Sequence, residues 1–273
     1  MTITYVIQVL QAMEDGRIQD PHYIRDPEWE LSKAFRRVKR RIQRLRSREH
    51  YELVELNRAK VSAVSRHMEE FISTFSAIRN FNLHDCEGLS GIQSFIQEGF
   101  QVDDMVTIVD TIGDLGAVNS LGYKSMTPDY GIMDNILILP KVEIDNKRFR
   151  SLDKTYISEL IRKLQDYQAR ARQLTAGMEE IIDAAREEAA IMYDLHDYFV
   201  DGIENLKNIL KEEGIDWNNY RESEKMQIGR AIQVAHLITI LFPRVIDINT
   251  NEINPESRRN IRKAKEALAF RDA

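Results

Sequence analysis

The chain has a single cysteine, Cys86, so no disulfide can form within it and no cysteine-rich metal site can be built. Proline and glycine are scarce as well, six and twelve among 273 residues, which leaves few points where a helix is forced to stop. The longest apolar stretch without a charge, Ala231 to Pro243, is too short to span a bilayer as a helix. The opening MTITYVIQVL has no basic start and no small-residue cleavage pattern, so no secretory signal is expected and a soluble, cytoplasmic protein is. There is no Walker-type loop, no GxGxxG and no HExxH, and His22, His50, His67, His196 and His236 are scattered. The expectation is therefore a protein that is not an enzyme, with no catalytic residues, no cofactor and no metal. A net charge of −6 also argues against a surface built throughout for nucleic acid or acidic lipid.

What the chain does have is helix. From Phe149 to Lys211 there is no proline, and alternate steps of three and four residues from Ile157 reach Leu160, Leu164, Tyr167, Ala171, Leu174, Met178, Ile181, Ala185, Met192, Leu195, Phe199, Leu206 and Ile209. Only Glu188 and Gly202 interrupt this seam, whose mean spacing of about 3.5 residues keeps one helix face against a partner along its length. A second long helix is announced by Asp26 as N-cap, Pro27 at the first helical position, and Glu28 and Glu30 in the first turn. It is expected to reach about Asn80, with Leu31, Phe35, Val38, Ile42 and Leu45 forming one part of its seam and Val61, Val64, Met68, Phe71, Phe75 and Ile78 another. Arg46 to His50 between them is a candidate stutter or kink.

Seven of the twelve glycines fall between Asn80 and Asp145. Within that stretch two short amphipathic helices are expected, 91–100 and 102–115, then an edge strand or connector over 136–144. Gly214 is placed to end the second long helix, a shorter helix follows over about 220–242, and Asn254-Pro255-Glu256 starts the last one. The expected fold is all-α: an elongated antiparallel helical hairpin, or coiled-coil stalk, with a small Gly-rich head and short C-terminal helices at the base. Its parts are an N-terminal segment (1–26), a first stalk helix (27–80), the head (81–148), a second stalk helix (149–213) and the base (214–273). The N-terminal segment is expected to join that base.

Charge supports the antiparallel arrangement at this level. Nine basic residues and no acid lie between Lys33 and Arg48, and Glu179 to Glu204 holds nine acids against Arg186 alone. A hairpin whose paired positions sum to about 229 sets the two blocks opposite each other, whereas each would repel a copy of itself.

Two sets of contact residues follow. Phe95, Phe100, Met105 and Val109 would make the head a surface for a protein partner or a membrane. Arg37, Arg40, Arg41, Arg44 and Arg48 share one helical face and would present their cations to an anionic partner, unless the acidic helix neutralises them. A bare two-helix stalk buries one stripe per helix, so self-association is expected as well. The leading functional expectation is a scaffold or adaptor acting through protein–protein interaction. The alternative is a membrane-acting effector whose plan, though no motif, resembles the α-helical pore-forming toxins; Asp103, Asp104, Asp110 and Asp114 in the head would oppose insertion at neutral pH. Nucleic-acid or anionic-lipid binding through residues 33–48 is the third.

Two sequence features imitate sites and then fail. Asp247-x-Asn249-x-Asn251 opens like a calcium loop, but Glu252 stands where glycine is required and Arg258 where a bidentate glutamate belongs. His84-Asp85-Cys86 sets a base beside a nucleophile without an oxyanion or phosphate motif to support them.

Overall fold

The computed structural model describes residues 2–64, 66–86, 89, 106, 142–243, 245–247 and 252–269. Among these the chain forms α1 (Ile3–Glu14), α2 (Pro27–Val64), α3 (His67–Phe75), α4 (Asn146–Arg150), α5 (Lys154–Glu213), α6 (Glu222–Leu241), strands β1 (Ile246–Asp247) and β2 (Glu252–Ile253), and α7 (Pro255–Ala269). The all-α class and the packing of two long helices on each other are as the sequence leads one to expect. The chain divides into two compact units, Met1–His50 with Asp129–Glu180, and Tyr51–Pro128 with Ile181–Ala273.

The first unit contains α1, the first part of α2, α4 and the first part of α5. Thr2 caps α1 by accepting from Tyr5 N at 3.2 Å, and Asp26 caps α2 by accepting from Trp29 N at 2.9 Å. The α1 face Ile3, Val6, Ile7, Leu10 and Met13 packs with Leu31 and Ala34 of α2 and with Ile157, Leu160, Leu164 and Tyr167 of α5. Gln168 donates to Thr4 Oγ1 at 2.6 Å and Ser158 bonds to Glu14, so α1 runs antiparallel to α5. Arg150 of α4 ties down the connection before α2 by donating to the carbonyls of Pro21 and Arg25, both at 2.6 Å.

The direction of α2 along α5 corrects the antiparallel expectation. Within the first unit Phe35 meets Tyr167 with ring centroids 4.6 Å apart, and further along both helices Arg41 meets Glu179 at 3.1 Å. Within the second, Glu52 pairs with Arg186, Lys60 with Glu188, Phe71 packs on Phe199 and Glu70 pairs with Lys207. Partners rise together along both helices, so the pairing is parallel. Parallel neighbours in one chain need a long return connection rather than a loop at a shared tip. That connection lies between Phe75 and Lys154, and the expected head helices at 91–100 and 102–115 fall outside the described residues except Val106. Of the expected strand, 136–141 lies outside as well, and 142–144 has no regular structure.

The second unit packs the end of α2 with α3, α6, α7 and the second part of α5 around Met192, Leu195, Phe199, Ile203 and Leu206. The N-terminal segment and the C-terminal helices belong to separate cores, which corrects the expectation of a shared base. Continuous helix runs through Arg46 to His50; α2 ends instead at Val64, and α3 begins at His67 after Arg66, which has φ 51°. Gly202 is a packing glycine, since a Cβ there would meet the Ala231 Cβ of α6 at 3.1 Å. The α5 C-terminus is as expected, with Gly214 at φ 82° donating to Leu210 O at 3.1 Å.

Candidate functional site

At 3.6 residues per turn, Arg37, Arg40, Arg41, Arg44 and Arg48 fall within about 100° of arc on α2. All five are exposed, and so are Arg36 and Lys39 beside them. Leu31, Ala34 and Ile42 on the adjoining face are buried, so the helix offers cations to solvent and apolar groups to its own core. Arg41 is paired with Glu179, two exposed groups whose contact is worth a fraction of a kcal/mol to about 1. Lys33 Nζ lies 4.4 Å from the ring centre of the half-exposed Trp29 one turn earlier. The five arginines thus share one exposed face of α2. Of the expected neutralising block, Glu179 pairs with Arg41; Glu179 and Glu180 belong to the first unit and the rest of the block to the second. The first unit carries 20 Lys and Arg against 16 Asp and Glu, the second 18 against 28.

The acidic side chains also form a face. Asp194, Asp197, Asp201 and Glu204 are exposed on α5 at steps of three and four residues. Arg186 and Lys207, the two Lys or Arg residues between 173 and 210, are held by Glu52 and Glu70. The proposed head contacts Phe95, Phe100, Met105 and Val109 lie outside the described residues.

Sequence reasoning missed a polar cluster buried in the second unit. Lys60 and Glu188, each 1% exposed, form an ion pair across α2 and α5. Lys60 Nζ also donates to Pro243 O at 2.8 Å, and Ser257 of α7 donates to Glu188 Oε2 at 3.0 Å. Burial pushes the Glu188 carboxyl up and the Lys60 ammonium down, and the partner opposes each shift. In the first unit Glu49 is 4% exposed and its Oε1 has no hydrogen-bond partner. Burial pushes that carboxyl up to about 7, against a small opposing pull from Arg46. Both positions carry a signal, for Glu49 and Lys60 continue the α2 seam Ile42, Leu45, 49, Leu53, Leu56, 60 and Ala63 at three-to-four spacing.

The other candidates resolve into structure. Cys86 is buried, its Sγ donates to Lys225 O at 3.3 Å, and burial followed by the neighbouring Asp85 pushes the thiol up to about 11. Asp85 accepts from Trp217 Nε1 at 2.7 Å and from Lys225 at 2.9 Å, a clasp onto α6 rather than a catalytic arrangement. Asp247 and Glu252 face each other across the β1–β2 ladder, and no group of three or more metal-ligating side chains occurs among the described residues. No helix among them is long and apolar enough to cross a membrane. An open pocket of about 700 Å³ at the start of α2 is lined by Tyr23, Trp29, Glu30 and Arg150, with Arg150 already committed to backbone carbonyls. Comparison with protein-family models, with curated proteins and with solved structures finds no match to this chain.

Proposed function

We propose that this chain is a non-enzymatic helical scaffold that docks an acidic protein surface on the basic face of α2. The observation that carries the reading is the exposed row Arg37, Arg40, Arg41, Arg44 and Arg48, with most of the acidic block assigned to the other unit. A protein partner is favoured over lipid because an interfacial helix needs a free apolar face, and that of α2 is in the core. It is favoured over nucleic acid because the first unit, with 20 Lys and Arg against 16 Asp and Glu, has no large positive excess to spread along a phosphate backbone.

Three probes at low and moderate salt test this: polyglutamate, vesicles containing phosphatidylserine, and a duplex DNA. Polyglutamate should bind in a salt-sensitive manner, and Arg40→Glu with Arg44→Glu should weaken it at least about tenfold. Tighter binding to the vesicles or the duplex, lost in the same variant, would replace the scaffold reading with the corresponding alternative.

A further inference from the structure

We infer that the acidic surface taken by α2 is the α5 face Asp194, Asp197, Asp201 and Glu204 of a second copy of this chain, an inference that rests on the basic face being a docking site. The two rows match in length: Arg37 to Arg48 rises about 17 Å and Asp194 to Glu204 about 15 Å at 1.5 Å per residue. They match in pitch too, each advancing by three or four residues, so two helices laid side by side bring cation to carboxylate turn after turn.

Arg40 and Arg44 have no acid within one turn of them on α2, whereas Arg48 is followed by Glu49 and Glu52. No acid occurs on α2 between Glu30 and Glu49, and Arg186 and Lys207 on α5 are held by Glu52 and Glu70. Asp197 Oδ1 lies 3.4 Å from His196 Nδ1 yet its side chain stays 87% exposed. A basic face repels a basic face and an acidic face an acidic one, so copies associate only by unlike faces. The blocks that the sequence suggests would meet within one chain belong, apart from Glu179 and Glu180, to different units. Each copy carries one exposed face of each sign. A single contact leaves one of each over, to be taken up reciprocally or by a third copy.

Exposed ion pairs are individually weak and screened by salt, so the assembly should be micromolar and salt-labile. The test is sedimentation velocity of the full chain from about 1 to 100 μM, at about 50 and about 500 mM NaCl, a range over which screening of exposed pairs becomes nearly complete. The wild type should associate at low salt and weaken at least about tenfold at high salt. R40E/R44E and D197K/D201K, each with unchanged helical circular dichroism, should both be monomeric alone. Mixed, they should associate, because each then supplies the face that its partner's reversed row requires.

A wild type that stays monomeric throughout, variants that associate as the wild type does, or a mixture that stays monomeric would each overturn the inference. If the wild type is monomeric yet binds polyglutamate through Arg40 and Arg44, the docking face stands and only the second copy is excluded. If polyglutamate binding fails as well, both readings fall.

Discussion

The sharpest prediction concerns Glu49, a carboxylate at a seam position with a buried oxygen that nothing in the described structure bonds. Its pKa rises from an ordinary 4.5 to about 7, so the folded state holds this proton more tightly than the unfolded chain does. The contribution of Glu49 to stability is therefore complete below pH 4.5, falls as pH rises to 7, and is constant above that. A displacement of about 2.5 units at 1.36 kcal/mol each makes the loss about 3 kcal/mol. Glu49→Gln removes the charge and leaves an amide in the same place, at a cost on the order of 1 kcal/mol at every pH. The variant should therefore be slightly less stable than the wild type at pH 4.5 and about 2 kcal/mol more stable at pH 8. Urea unfolding followed by circular dichroism at several pH values measures this, and taking the difference between the two proteins cancels every other titrating group. A difference that does not change with pH, or that favours the variant most in acid, would refute the reasoning.

The remaining predictions test the packing. Lys60→Met or Glu188→Gln alone strands a buried charge and should cost about 3–5 kcal/mol in urea unfolding. Replacing both by Met should recover much of that, though Pro243 O then loses its donor. Gly229→Ala would place a Cβ 2.8 Å from Leu89 Cδ1 and 2.9 Å from Cys86 Sγ, so it should cost about 1–3 kcal/mol, and Cys86→Ala should relieve part of it. Cys86 should react with a thiol reagent at pH 8 at least about a hundredfold more slowly in the folded protein than in urea, given a buried thiol pushed up to about 11; equal rates would show that the clasp of residues 83–86 onto α6 is open.

Local signals were legible in the sequence because they depend on a few neighbouring residues. Asp26-Pro27, Gly214 and Asn254-Pro255 begin and end helices as expected, and the α5 seam is buried at Leu160, Leu164, Met192 and Phe199. The apparent interruption of α2 at Arg46 to His50 came from treating charged residues as breaks. The seam passes through Glu49 and Lys60, and the helix ends at a place marked by no proline or glycine. Strand direction has an analogue here that no periodicity encodes: a heptad seam is equally satisfied by parallel and antiparallel partners. Block charges favoured antiparallel pairing, but the individual contacts Glu52–Arg186 and Glu70–Lys207 use the one cation within the acidic block and the first one beyond it.

The same correction changes what the charges are for. In an antiparallel hairpin the nine cations of residues 33–48 would face carboxylates of their own chain, and their role would be to fix the pairing register. In the parallel arrangement that role falls to the buried pair Lys60–Glu188, which is met only when these two seam positions coincide and which costs several kcal/mol when one partner is left alone. A shift of one heptad would set Lys60 against Leu195 or Ile181, leaving a buried ammonium beside an apolar side chain. One buried pair is enough to specify the register, so the exposed rows on α2 and α5 are not needed for it. Exposed ion pairs add little to folding but a great deal to the choice of partner, and rows of this length, pitch and opposite sign are suited to that second task.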